Sequence, residues 1–114
     1  MEELKLLDRR LFERIPVTVP LRYLELNSGR EVLAYTRDIS ANGIGLVTEE
    51  RLSPEAPLEM WLQIPHRSNS IYAKGKVVWA EEIEPNRYRA GVSLDKTELV
   101  AMSQILMSTR QELV

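Results

Sequence analysis

Cysteine is absent from this chain of 114 residues, and histidine occurs once, at His66 in a polar stretch. Disulfide bonds, thiolate metal sites and a cysteine nucleophile are therefore excluded. Ser40 has no histidine or lysine near it in sequence, so serine-based hydrolysis has little support. No P-loop or dinucleotide-binding glycine pattern occurs, and no carboxylate pair marks a cleft. We therefore expect a protein that is not an enzyme, with no catalytic residues, metal or cofactor.

Long apolar runs are also absent, since no stretch approaches the roughly 20 residues of a membrane-spanning helix. The N-terminus has no signal-peptide pattern, and we expect a cytoplasmic protein. A net charge of −2 argues against a general DNA or RNA binder, which needs a broad basic face, but it leaves room for a small basic pocket. The length predicts a single domain spanning residues 1–114.

Alternating apolar and polar residues predict short β-strands over residues 15–94. Leu58, Met60 and Leu62 alternate with polar or amphipathic neighbours, as in a half-buried strand. Turn-forming sequences divide the strands at residues 27–29, 41–43 and 84–86. Many short strands separated by turns predict a small antiparallel barrel or sandwich.

Three positions in the strands carry specific expectations. Pro20 lies inside an alternating run that begins at Val17, which predicts an edge position or a bulge. A later alternation places Trp79 on the same side of its strand as Val77. We interpret Trp79 and Trp61 as packing residues of the core or the barrel rim, and the alternative is that they are platforms on which bases stack.

The two ends of the chain have helical spacing. Leu4, Leu7 and Leu11 predict a short N-terminal helix or turn, within an arm of residues 1–14. Asp95 begins a capping-box pattern, and apolar residues then predict a C-terminal α-helix over residues 95–112. That helix buries its apolar face either on its own sheet or on another subunit, so the chain is a monomer or a homodimer.

The N-terminal arm carries three arginines in six residues, at Arg9, Arg10 and Arg14. Guanidinium groups match phosphate oxygens and the acceptor edge of guanine. The alternative is a basic turn that is simply solvated.

A second motif, Asp38-Ile39-Ser40-Ala41-Asn42-Gly43, follows after one strand pair. Residues 10–14 fit the pattern RxxxR, and residues 38–43 fit [D/N]xSxxG. In this order they resemble the PilZ domain, and residues 75–79 and 90–94 are similar to late strands of that family. The resemblance covers roughly residues 9–106. It implies a mainly β fold, a six-stranded antiparallel β-barrel with a C-terminal helix, that binds the bacterial second messenger cyclic di-GMP.

The resemblance also implies a set of ligand-binding residues. Arg10 and Arg14 would bind phosphate or guanine O6 and N7, and Asp38 would accept hydrogen bonds from the guanine N1–H and N2–H₂ edge. Ser40 would donate to the ligand, and Gly43 would allow close backbone approach. The alternative for Asp38 and Ser40 is local turn capping.

Arg9 and Arg37 are secondary candidates. Arg9 either helps to bind a second, stacked ligand molecule or is solvated. Arg37 precedes Asp38, so strict alternation would direct the two side chains to opposite faces.

The expected function is that of a receptor, in which the arginine segment becomes ordered against the barrel when cyclic di-GMP binds. An unidentified downstream protein would respond to that change. The alternative is an interaction module with the same fold that binds a protein and no nucleotide.

Overall fold

The strands account for most of the chain between Ile15 and Leu94. A computed structural model describes residues 14–63 and 68–95, and the expected mainly β class is confirmed. The seven strands are β1 (Ile15–Pro16), β2 (Pro20–Glu25), β3 (Arg30–Ile39), β4 (Gly43–Thr48), β5 (Pro57–Gln63), β6 (Ser70–Glu84) and β7 (Arg87–Leu94). The expected N-terminal helix or turn of the arm (1–14) and the expected C-terminal helix (95–112) lie outside the described residues, apart from Arg14 and Asp95.

Six strands close into an antiparallel barrel in the order β3-β2-β5-β6-β7-β4, with β4 pairing back onto β3. This confirms the six-stranded antiparallel barrel. The closure depends on β3, whose first half pairs with β2 and whose second half pairs with β4. The short β1 adds to the end of β3, where Ile15 is opposite Ile39 and Pro16 is opposite Asp38.

Alternate residues of each strand fill the barrel interior, because successive side chains point to opposite faces of a sheet. Each fully buried large apolar side chain contributes about 1.5–3 kcal/mol relative to its exposed state. The largest fully buried side chains are Tyr23, Ile39, Ile44, Leu46, Leu58, Met60, Leu62 and Val77. Within the described parts of the chain, no helix is long and apolar enough to cross a membrane.

The strand predicted from the alternation that begins at Val17 starts three residues later in the structure. Residues 17–19 belong to no strand, and Pro20 is the first residue of β2. β2 is an internal strand between β3 and β5, but Pro20 itself pairs only with Tyr35 of β3, because the pairing with β5 begins at Leu21. A proline lacks an N–H group, so it is tolerated at the first position of an internal strand.

Thr36 holds residues 17–19 against the barrel. Its side chain is buried, and its Oγ1 donates to the Val17 carbonyl oxygen at 2.6 Å and accepts from the Val19 N–H at 2.9 Å. Backbone hydrogen bonds from Val17 to Arg37 and from Thr36 to Val19 complete the attachment. A threonine hydroxyl therefore satisfies backbone groups that a regular strand would pair in its ladder.

Tyr23 is the largest side chain of the core. Its hydroxyl lies 2.9 Å from Thr48 Oγ1. Burial raises the pKa of Tyr23, and the hydrogen bond with Thr48 partly opposes that effect. The phenol is therefore neutral inside the barrel at ordinary pH, and its one polar atom has a partner.

Replacing Thr36 with valine tests the attachment of residues 17–19. Thr36→Val keeps the side-chain volume but leaves the Val17 carbonyl and the Val19 N–H without their hydroxyl partner. We expect the free energy of unfolding to fall by about 2 kcal/mol, because a buried polar group without a partner costs about 1–3 kcal/mol. Urea denaturation measures the loss. Thr36→Ser retains the hydroxyl and is expected to lose less than half as much; equal stability of Thr36→Val and the wild type would contradict the assignment.

Candidate functional site

The end of the arginine arm meets the second motif on the barrel surface. Pairing of β1 with β3 places Arg14 beside Asp38, and Arg14 Nη1 donates to Asp38 Oδ1 at 2.8 Å. Their side chains are 55% and 20% exposed. An ion pair as exposed as this contributes at most about 1 kcal/mol to stability. Its importance is that it brings together two candidate residues 24 positions apart in sequence.

A bulge in β3 determines where the Asp38 side chain lies. The register of β3 against β4 shifts between Thr36 and Asp38, so that Thr36 is opposite Leu46 and Asp38 is opposite Gly45. Thr36 is buried, whereas the Asp38 carboxylate lies against the backbone of Gly45. The extra residue in the bulge is Arg37, so the strict alternation that the sequence suggested does not hold at this point.

The turn after β3 is held by its own serine. Ser40 is buried, and its Oγ accepts hydrogen bonds from the N–H groups of Asn42 at 3.3 Å and Gly43 at 3.2 Å. The Ser40 N–H donates to the Gly43 carbonyl oxygen at 2.9 Å. These contacts match the turn-capping alternative, and a ligand role for Ser40 stays a prediction.

Gly43 lies where two strands approach closely. A Cβ atom at this position would be 2.6 Å from the Val92 carbonyl oxygen of β7. Backbone cannot move aside as a side chain can, so any larger residue would push β4 and β7 apart. The absence of a side chain at Gly43 is therefore required by the packing of β4 against β7, and the expected approach of its backbone to a ligand stays a prediction.

A cavity of about 310 Å³ opens beside this turn. Cavities of about 300 Å³ or more are large enough to hold part of a small ligand. Its walls combine one arginine, the turn after β3 and parts of β6 and β7, namely Arg14, Ser40, Asn42, Gly43, Val78, Trp79, Gly91, Val92 and Ser93.

Trp79 is a wall residue of the cavity. A bulge shifts the register of β6 between Val77, opposite Val92, and Trp79, opposite Gly91. Val77 stays in the core, but Trp79 is turned outward and is 38% exposed. Of the two expected packing positions, the core is therefore wrong for Trp79, and its alternative role in base stacking stays a prediction. The indole lies over Gly91, where a Cβ atom would be 2.2 Å from Trp79 Nε1.

The other candidates lie apart from the cavity or outside the described residues. Arg37 is exposed at the bulge, and its carbonyl oxygen accepts from the Val17 N–H. Neither Arg37 nor Asp38 is among the described residues that line the cavity, and Asp38 is connected to it through Arg14. Arg9 and Arg10 fall on residues 1–13, outside the described part of the chain. No group of three acidic or histidine side chains suited to a metal ion occurs within residues 14–63 and 68–95.

Fold and site together define a class of protein: a small closed β-barrel whose outer surface carries a cavity lined in part by an arginine that is paired with an aspartate. Comparison with protein families identifies the class, since the PilZ domain matches residues 8–111. The chain therefore belongs to the PilZ domain family. A search of curated proteins gives no significant match.

Solved structures with the same fold differ widely from this chain in sequence. The Klebsiella pneumoniae MrkH–c-di-GMP complex has 21% identity and a TM-score of 0.71, with 92% of this chain and 54% of that chain covered. Bacillus subtilis MotI/DgrA, an inhibitor of motility, has 18% identity and a TM-score of 0.66, with 92% and 51% covered. The PilZ domain of CeSA from a cellulose-synthesizing bacterium has 18% identity and a TM-score of 0.58, with 88% and 98% covered.

The length of the match differs among these structures. The chain spans about half the length of the MrkH and MotI/DgrA chains and nearly all of the CeSA domain. At identities of 18–21% the likeness supports the barrel fold alone.

The contact between Trp79 and Gly91 predicts a spectroscopic response. Gly91→Ala would place a methyl group where the indole now lies and turn Trp79 further into solvent, at a cost of about 1–3 kcal/mol in stability. We expect its fluorescence emission to move to longer wavelength. The measurement uses a Trp61→Phe background, which leaves Trp79 as the single tryptophan. An emission maximum identical to that of Trp61→Phe alone would contradict the contact.

Proposed function

We propose that this protein is a non-enzymatic receptor for cyclic di-GMP. The observation that carries the proposal is the ion pair between Arg14, which lines the cavity, and Asp38. The pair sets a cationic fork of donors beside an anionic acceptor. Cyclic di-GMP combines anionic phosphates with guanine edges that present both donors and acceptors, so one ligand complements both partners of the pair.

Each side chain has a distinct task in this proposal. Arg14 binds a phosphate, or guanine O6 and N7, through two parallel N–H donors. Asp38 accepts from guanine N1–H and N2–H₂, an edge that adenine does not present. Arg14 and Asp38 already bind each other through one charge-assisted hydrogen bond. Cyclic di-GMP would replace that contact with several. The MrkH complex with c-di-GMP, which shares the fold, supports this ligand.

The Trp79 wall offers a flat apolar surface to a base. The indole is partly exposed and borders the cavity that Arg14 also borders. Stacking of a base on an aromatic side chain contributes about 1–3 kcal/mol. We therefore add Trp79 to the ligand-binding residues that the sequence motifs indicated.

The arginine arm enters the site from the side of Asp38. Arg14, the last residue of the arm, borders the cavity, and β1 follows it at Ile15. We propose that Arg10 joins Arg14 on the ligand and that residues 9–14 become ordered over it, a change that a downstream protein detects. Arg9 and Arg37 stay secondary candidates, and Ser40 and Gly43 shape the turn below.

The outer surface favours a second candidate function, docking of a protein. Leu33 is 81% exposed and Tyr35 is 57% exposed, one after the other on the outer face of β3. Arg22 and Trp61 lie in the same outer row, with the Arg22 guanidinium 4.2 Å from the Trp61 ring centroid. Exposed apolar groups of this kind are typical of interaction surfaces. Such a surface serves either an effector partner of the receptor or a module that binds no nucleotide.

Titration calorimetry with cyclic di-GMP tests the receptor function. We expect binding to the wild type and at least a tenfold weaker affinity for Arg14→Ala, because a hydrogen bond to a charged group contributes about 1.5–3 kcal/mol. Arg30→Ala is the matched control: Arg30 pairs with Glu50 at 3.1 Å, is 65% exposed, and lies at the opposite end of β3. It is expected to bind as the wild type does.

Cyclic di-AMP separates recognition of guanine from recognition of phosphate. Cyclic di-AMP carries the same phosphates but has no guanine edge. If Asp38 recognises that edge, cyclic di-AMP should bind at least tenfold more weakly than cyclic di-GMP. Equal affinity for both dinucleotides would reduce the site to phosphate binding. No heat with either ligand at tens of micromolar protein and low salt would refute the receptor function and leave the docking module.

A further inference from the structure

Two glycines in neighbouring strands, Gly45 and Gly91, lie between Asp38 and Trp79 on the barrel surface. On the outer face, Asp38 of β3 is opposite Gly45 of β4, Gly45 is opposite Gly91 of β7, and Gly91 is opposite Trp79 of β6. The residues at the two ends of this row carry side chains, and the two glycines between them do not. The carboxylate and the indole therefore lean inward over the glycines from opposite ends.

Gly45 belongs to neither motif. The space that a side chain at this position would need is occupied by the Asp38 carboxyl group. A Cβ atom on Gly45 would be 2.7 Å from Asp38 Oδ1, 3.1 Å from Oδ2 and 3.1 Å from Cγ. These are the three nearest atoms outside its chain neighbours, and all three belong to one side chain. Oδ1 is also the atom that accepts the hydrogen bond from Arg14.

We propose that Gly45 is a positioning residue, which sets the Asp38 carboxylate against Arg14 by leaving room for it. This inference rests on the proposed function, because it assigns Gly45 a role in the affinity for cyclic di-GMP. The physical reason is steric. Asp38 has only two side-chain torsions, so a methyl group at residue 45 removes the present carboxylate position and rotates Oδ1 away from the Arg14 guanidinium.

The effect on folding differs from the effect on binding. Gly45 has no positive φ angle, so alanine fits its backbone without strain. Gly→Ala at a compatible position commonly stabilises a protein by limiting the unfolded chain. Gly45→Ala should therefore keep or raise the unfolding midpoint while it lowers the affinity for cyclic di-GMP. A residue that served only the packing of the barrel would lower both together.

A double-mutant cycle tests the route through Asp38. In the wild-type background, Gly45→Ala is expected to weaken cyclic di-GMP at least tenfold by calorimetry. In an Asp38→Ala background there is no carboxylate to displace, so adding Gly45→Ala should change the affinity less than twofold. An equal loss in both backgrounds would overturn the proposal, and so would an unaltered affinity of Gly45→Ala.

A measurement without ligand separates this inference from the receptor function. Nuclear magnetic resonance of the Arg14 guanidinium reports whether its rotation is restrained by Asp38. Gly45→Ala should release that restraint as fully as Asp38→Ala does, even if no nucleotide binds. A wild-type signature in Gly45→Ala would overturn the inference, as would a loss of folding that Asp38→Ala does not repair.

Discussion

The constraint on which the rest of this structure depends is the bulge in β3 between Thr36 and Asp38. One extra residue there lets β3 present Thr36 to the interior and Asp38 to the outer surface beside β4. Thr36 then fixes the segment that leads to β1, and β1 brings Arg14 to Asp38. Barrel closure and assembly of the site therefore depend on the same few residues of one strand.

The fold could be predicted largely from the sequence because its signals are local. Alternation along Leu58, Met60 and Leu62 reflects the side-chain period of a strand, and turn residues mark the ends of β2 and β6. The two bulges could not be predicted in this way. A bulge is a relation between two strands, and the alternation of a single strand carries no record of its partner's register.

The site divides along the same line. Arg14 and Asp38 were identified from motif patterns, and the pairing of β1 with β3 places them in contact. Trp79 was misplaced because an alternation that continued through Val77 would have buried it, whereas the second bulge turns it onto the wall of the cavity. Gly45 went unnoticed because an absent side chain has meaning only beside the carboxylate that occupies its space.

Placement of the site on the outside of a closed barrel has a consequence for how such chains diverge. Interior positions need only apolar groups of suitable total volume, which many combinations of residues provide. Outer positions away from the cavity are restrained even less, because they face water. Selection can therefore act strongly on a few outer residues while the rest drift, which is consistent with barrels that superpose at TM-scores of 0.58–0.71 and share only 18–21% of their residues.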